Sequence, residues 1–312
     1  MTVHQSSLDI GAAAEIARLQ AELLHSRKIF DRASEAARIG VWECTLPDEA
    51  LSWTDVVFDL FDLPRGCTLD RGQILACYTE ASREALTRLR GQAIAERSGF
   101  TLDAEIVTFR GRRRWIRVTA TVESENGRAA RIFGMKQDIT EERLLWERTR
   151  YLAEFDVMTG LANRSQFQTR LATADSGHDI GALLLVDLDG FKQINDSFGH
   201  AVGDDGLREA ARRLAETCRG VELVARIGGD EFAVLLGTHA TPAACDALAA
   251  AIIAGLSRPL DIDGRRLTMG ASVGIAQADG CSAADLFVRA DAALYAAKAA
   301  GRNTARAFGR LS

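Results

Sequence analysis

Two short stretches concentrate the groups best able to do chemistry. In LLLVDLDGFK an apolar run ends in Asp187 and Asp189, and in VARIGGDEFAVLL the pair Gly228-Gly229 precedes Asp230 and Glu231. Residues two apart in a strand share one face, so both aspartates are expected on one side of a strand end. Buried carboxylates there are costly unless a cation or donors meet them. If the two turns are neighbours in one sheet, up to four carboxylates converge where a hard, oxygen-seeking ion would sit. Magnesium fits, because it binds few carboxylates and leaves room for substrate phosphates. A solvated acidic turn would explain either motif alone, but not both in one domain. The glycines are expected to give the turn unusual φ and a close approach to a ligand. Downstream, AAKAAGRN places Lys298 and Arg302 four residues apart near a helix end, where both can contact one anion.

These residues need a scaffold, and the second half of the chain has a pattern for one. It reads as a helix over 164–174, an apolar strand over 180–189, helices over 190–198 and 204–218, and a hairpin over 221–236. A helix over 243–256, a second hairpin over 260–277, a helix over 283–300 and a short final strand follow. Strands returning after helical crossovers, with antiparallel hairpins among them, predict a central mixed sheet flanked by helices.

The first half reads differently. Ile16, Leu19, Leu23 and Phe30 mark an amphipathic helix that could pair with a copy of itself or pack on its own domain. VWECT and ALSWT then read as paired strands, and helical stretches run through DVVFDLF and SREALTRLRGQAIAE. FTLDAEIVTF, RWIRVTATVE and RAARIFGMKQDI read as three more strands, the last two joined at Asn126-Gly127, a strong hairpin signal. The expectation is a five-stranded antiparallel sheet with helices between its second and third strands. EERLLWERTRYLAEF is predicted as a helical connector between the halves.

The 312 residues suggest two domains, and 47% hydrophobic with 26% charged residues is ordinary globular composition. A net charge of -5 gives no general basic surface, so a nucleic-acid partner is not expected and any phosphate must be held locally. Six cysteines without a CxxC pair predict reduced core thiols rather than a disulfide framework or a zinc site. The N-terminus lacks the pattern of a signal peptide, and the most apolar window, AACDALAAAIIAGL, is too short to span a bilayer. A cytoplasmic protein without a membrane partner is expected.

From about Phe155 to Phe308 the chain resembles a GGDEF domain, the catalytic unit of diguanylate cyclases. DVMTGLANR, DLDGFKQINDSFGHAVGDDGL, RIGGDEF and YAAKAAGRN stand in family order at family spacing. The resemblance implies a nucleotidyl-cyclase or palm-like fold that joins two GTP molecules into cyclic di-GMP with release of two pyrophosphates. It assigns Mg2+ or Mn2+ to Asp187, the carbonyl of Leu188 and Asp230, with Asp230 also near the attacking 3′-hydroxyl and Glu231 assisting at the metal. It gives Asn195 and Asp204 to the guanine, Phe191 and Lys192 to the phosphates, and Lys298 and Arg302 to the γ-phosphate end. His200 matches the family's GH. Each such domain holds one GTP, so a homodimer is implied. Where product-inhibited relatives carry RxxD, this chain has RGVE, Arg219 to Glu222, which puts product inhibition in doubt. Met158 stands where the family often has leucine.

The order of elements from Ala33 to Thr140, with RIGVWE at its start and DIT at its end, resembles a PAS sensor domain. The absence of histidine between His25 and His178 argues against a His-ligated haem, and the ligand of such a domain is left open. The expected organisation is a helix over 1–32, a PAS domain over 33–140, a connector over 141–155 and a GGDEF domain over 156–312. The chain is expected to be an α+β diguanylate cyclase regulated by its PAS domain and dimerising through the PAS and helical segments. The alternative is a catalytically silent receptor or scaffold that binds GTP or cyclic di-GMP.

Overall fold

The computed structural model describes residues 2–173, 180–262 and 264–309, with backbone alone for residues 2–14 and 265. The chain forms two compact units, Met1–Trp146 and Glu147–Ser312.

The first unit opens with helix α1 (Thr2–Ala37), which continues past the expected end at residue 32. Ile16, Leu19, Leu23 and Phe30 all lie exposed on it. Strands β1 (Ile39–Thr45) and β2 (Leu51–Trp53) lead to helices α2 (Asp55–Phe61), α3 (Arg71–Ala76) and α4 (Glu80–Glu96). Strands β3 (Gly99–Val107), β4 (Arg113–Glu125) and β5 (Arg128–Asp138) complete it. The five strands form one antiparallel sheet in the order β2-β1-β5-β4-β3. Burial alternates along β1 and β4, the mark of a sheet with one covered face. That face packs Ile106, Ile116 and Ile132 against Val57 and Phe61 of α2. Asn126 and Gly127 take φ of 52° and 76° in the turn between β4 and β5, as a two-residue hairpin of matching twist requires.

Helix α5 (Thr140–Glu154) carries the chain into the second unit. There α6 (Arg164–Leu171), β6 (Ala182–Asp189), α7 (Phe191–Phe198) and α8 (His200–Thr217) precede the hairpin of β7 (Leu223–Arg226) and β8 (Glu231–Leu236). Helix α9 (Pro242–Leu256), strands β9 (Leu260–Ile262), β10 (Arg265–Leu267) and β11 (Gly270–Gln277), helix α10 (Ala283–Ala299) and strand β12 (Ala305–Ala307) follow. The sheet order is β12-β11-β6-β8-β7, with β11 and β12 parallel and the other pairs antiparallel. Strand β6 lies at the centre and is buried from Ala182 to Leu188 because helices cover both faces. Leu184, Val186 and Phe232 meet α8 and α9 on one face. Leu183, Leu185 and Leu235 meet α6 and α10 on the other.

Two expectations change. The second hairpin does not run through residues 260–277: β9 and β10 pair only with each other, and β11 enters the main sheet beside β6. Helix α6 ends at Leu171, short of the expected residue 174, which lies outside the described residues along with residue 263 and the final residues 310–312. His178, the far limit of the histidine-free span, lies outside them as well. Among the described residues no helix is long and apolar enough to cross a membrane.

Candidate active site

The site lies where β6 runs out of cover. Asp187 and Asp189 project from one side of its last turnless residues, and Gly190, at φ 83°, turns the chain sharply into α7. The Asp230 carbonyl accepts the Leu188 amide at 3.1 Å, which fastens the β7–β8 turn to the end of β6. The Arg226 guanidinium holds the same turn by donating to the Gly229 carbonyl at 2.8 and 3.2 Å, and reaches Asp156 at 3.1 Å. Burial pushes the Asp156 carboxyl up, but donors from Thr159 and Arg226 outweigh it and leave it below the usual range.

Asp187 is buried, and burial pushes its carboxyl above the usual range even though Lys298 Nζ donates to Oδ2 at 2.7 Å. Nearby Asp230 and Asp189 push in the same direction. Asp189 has a different role. It accepts from Ser272 Oγ at 2.9 and 3.1 Å and from the Asn303 amide at 2.8 Å, and Arg302 Nε stands 3.9 Å away. Asn303 in turn accepts from Ser257 Oγ at 2.9 Å and from the Ala271 amide at 3.3 Å. Asp189 thus secures the turn after α10 that carries Arg302.

Around these groups an open cleft of about 1690 Å³, counted out to its mouth, is walled by Asp187, Asp189 and Asp230 and by the cations Lys192, Arg266, Lys298 and Arg302. Phe191 also lines it, buried at the start of α7. A cleft with more cations than carboxylates suits a polyanion, and the paired carboxylates suit a cation shared with it.

Several expected site residues stand elsewhere. The four carboxylates do not converge: among the described residues no group of three or more His, Cys, Asp or Glu side chains is placed to hold a metal ion. Glu231 is directly opposite Asp187 in register, yet its exposed side chain lines a neighbouring groove with Arg164, Phe167 and Phe287. The like charges that act on Asp187 are those of Asp230 and Asp189, and Lys298 opposes them. Gly228 and Gly229 do not take positive φ. A Cβ at Gly228 would lie 2.5 Å from Glu231 Oε2, the movable end of an exposed side chain, and Gly229 has open space. Lys298 lies in the last turn of α10, but Arg302 lies beyond it at φ 64°, so the two do not share a helix face.

Asn195 sits half-buried on α7 against Gly203 of α8, where a Cβ would lie 1.8 Å from its Oδ1. That Oδ1 is buried and has no hydrogen-bond partner. Asp204 is half-buried on α8, and Gly199 rather than Asp204 caps that helix. His200 is the exposed first residue of α8. Arg219 is exposed, and Glu222 pairs with Arg170 at 2.7 Å. Asp189 stands at the strand end where the DxD spacing put it, while Asn303 and Arg266 are not singled out by the sequence reading. The GRN segment signals Asn303, and Arg266 comes from the β9–β10 ribbon, whose Asp263-Gly264 pair is a tight-turn signal that the reading of one longer hairpin absorbed.

Residues 153–304 match the family described as diguanylate cyclase, GGDEF domain. The chain is 40% identical over 173 residues to Escherichia coli DgcE, named a probable diguanylate cyclase, over 53% of this chain and 16% of that protein. It is 35% identical over 228 residues to Escherichia coli PdeR, named a cyclic di-GMP phosphodiesterase, over 70% of this chain and 34% of that protein. The crystal structure of the coiled coil and GGDEF domain of DgcB from Caulobacter crescentus, in complex with c-di-GMP, matches at 32% identity and a TM-score of 0.50. That match covers 54% of this chain and 93% of the other. The match over residues 153–304 and the likeness to the DgcB structure place this part of the chain in the GGDEF domain family. The chain spans about a third or less of the length of the two curated relatives.

Proposed function

We propose that the chain condenses two GTP molecules into cyclic di-GMP and two pyrophosphates, acting as a homodimer whose N-terminal unit is a regulatory PAS domain. The observation that carries this reading is the cleft in which Asp187 and Asp230 face Lys192, Arg266, Lys298 and Arg302. The donor set fits Mg2+ or Mn2+. Two carboxylates and the Leu188 carbonyl leave coordination positions for phosphate oxygens, and Asp187 is held buried beside like charges that a cation would relieve. When bound, the ion supplies charge neutralisation at the triphosphate and lowers the pKa of the incoming 3′-hydroxyl.

The chain's own residues position and neutralise. Lys298 and Arg302 take the γ-phosphate end, and Lys192 with the backbone at Phe191 takes the phosphates between. Arg266 adds a fourth cation to the same wall. Asn195, whose Oδ1 lacks a donor, and Asp204 are the groups for the guanine, whose N1 and N2 are donors. A site built on those bonds rejects adenine. One GTP per domain makes the reaction an assembly of two copies, and α1, with its exposed apolar residues, and α5 are the segments proposed to pair them.

A second reading is a silent GTP- or cyclic di-GMP-binding domain, favoured by the relative PdeR, whose name is that of a phosphodiesterase. Incubation of the purified chain with GTP and magnesium, with products resolved by chromatography, separates the two. Cyclic di-GMP and pyrophosphate are expected from GTP and not from ATP. Absence of product, also after dimerisation is forced by a fused coiled coil, together with retained GTP binding, would replace the first reading with the second.

A further inference from the structure

Among the described residues, the N-terminal unit buries a lysine without a counter-ion. Lys136 lies on β5, between Gly40 of β1 and Val118 of β4, and is 5% exposed. Its Nζ stands 4.7 Å from the ring centre of Trp53, 4.9 Å from that of Phe61 and 5.3 Å from that of Trp42. Among the described residues no carboxylate acts on it, and the ionisable groups that do are the thiols of Cys77 and Cys44. Aromatic faces offset only part of the cost of burying an ammonium.

The same residue lines a pocket whose enclosed space is about 60 Å³, widening to about 580 Å³ with its open mouth, and whose other walls are mainly apolar: Trp42, Leu51, Trp53, Ile74 and Phe100 among them. Trp53 contributes a second unpaired donor, because its Nε1 is buried with no hydrogen-bond partner. At the mouth, Arg71 and Arg90 share a single carboxylate, Glu49, at 3.1 and 3.0 Å. The pocket lining therefore carries three cationic side chains, Lys136, Arg71 and Arg90, and no carboxylate among the described residues.

We propose that this pocket is a binding site for a small organic acid, with a compact apolar or aromatic body against the tryptophans and a carboxylate received by Lys136. The assignment rests on the pocket's own groups and is independent of the cyclase reading.

The pocket's titratable groups make the proposal testable without a variant. Burial lowers the Lys136 amine to about 7. Burial also raises the thiol of Cys77 and the phenol of Tyr78, and the other charged groups beside the pocket are Arg71 and Arg90 with the Glu49 carboxylate they share. A carboxylate that binds the ammonium form must therefore draw a proton onto Lys136 above pH 7, and its affinity falls about tenfold between pH 6 and pH 8.

The experiment is calorimetric titration of the full chain with benzoate and phenylacetate, each beside its neutral amide, at pH 6 and pH 8. Expected results are saturable binding of an acid, at least tenfold preference over its amide, weakening toward pH 8, and proton uptake at pH 8 in buffers of different ionisation enthalpy. Lys136→Met, of similar length and without charge, should lose the preference while keeping or raising the Tm. No saturable binding of either acid, equal binding of acid and amide, or a flat profile from pH 6 to pH 8 overturns the proposal. So does an unchanged acid affinity in a folded Lys136→Met.

Discussion

Lys298 Nζ lies 2.7 Å from Asp187 Oδ2, joining the last turn of α10 to the end of the central strand β6 across 111 positions of sequence. With Arg302 at 3.9 Å from Asp189, the pair links the acidic and basic walls of the cleft. The lysine supplies positive charge to a buried carboxylate that stands beside Asp230 and Asp189.

Lys298→Met should consequently lower kcat/KM for GTP by ten- to a hundredfold, the range of a charge-assisted hydrogen bond of about 1.5–3 kcal/mol. Lys298→Arg should recover part of that loss. Asp230→Ala should abolish magnesium-dependent turnover with little change in Tm, because Asp230 is in a turn and holds Leu188 only through its backbone. Retained turnover in Asp230→Ala would remove that residue from the site.

Asn303 combines a left-handed backbone, φ 44°, with side-chain and backbone bonds that reach Ser257, Ala271 and Asp189. Asn303→Gly keeps the conformation and loses the side-chain bonds, whereas Asn303→Ala loses the bonds and adds a steric cost of about 1–2 kcal/mol. Thermal unfolding should rank wild type above Gly above Ala, and GTP turnover should fall in the same order as Arg302 loses its anchor. Equal effects of the two variants would mean that backbone conformation does not matter there.

Gly274 on β11 is where α10 approaches the sheet most closely. A Cβ there would stand 2.2 Å from the Ala290 carbonyl and 2.3 Å from the Leu294 amide. Gly274→Ala must push the helix off the strand, at a cost of about 1–3 kcal/mol or more. Both the Tm and the GTP turnover should fall, since Lys298 rides on that helix. A Tm within a degree of wild type would show that the helix yields freely.

Glu209 bonds Arg212 and Arg213, and Arg213 also donates to the carbonyls of Gly255, Arg258 and Pro259, tying α8 to the end of α9. The hydrogen bond from Arg212, against the opposing effect of burial, and that from Arg213 depress the Glu209 carboxyl to about 2. A depressed carboxyl stabilises the fold above its unfolded value near 4.5 and loses that contribution as pH falls toward 2. Glu209→Gln should therefore lower the Tm at pH 7, and the gap to wild type should close between pH 4.5 and pH 2. A gap that stays constant across that range would place the effect in packing rather than charge.

Much of this was present in the one-dimensional pattern. The alternation in β1 and β4, the Asn126-Gly127 turn and the unbroken apolar run of β6 are local signals, because side-chain period and turn chemistry depend on near neighbours alone. The DxD spacing likewise placed Asp187 and Asp189 on one face. What sequence could not determine is which partners those faces meet. The β9–β10 ribbon and β11 read as one hairpin, and only the competition for the edge of β6 separates them. Asp187 and Asp189 look equivalent in sequence, yet one meets a lysine 111 residues away and the other a turn amide 114 residues away. Glu231 follows Asp230 directly, yet opens onto a different groove. Lys136 carries no signal of its own within a predicted strand, and only the tertiary fold sets aromatic rings from β1, β2 and α2 around it. The sequence by itself determined the elements and the chemical inventory, since both are set by local periodicity and residue type. Pairing, burial and charge environment arise from contacts distant in the chain, and only the tertiary structure decided them.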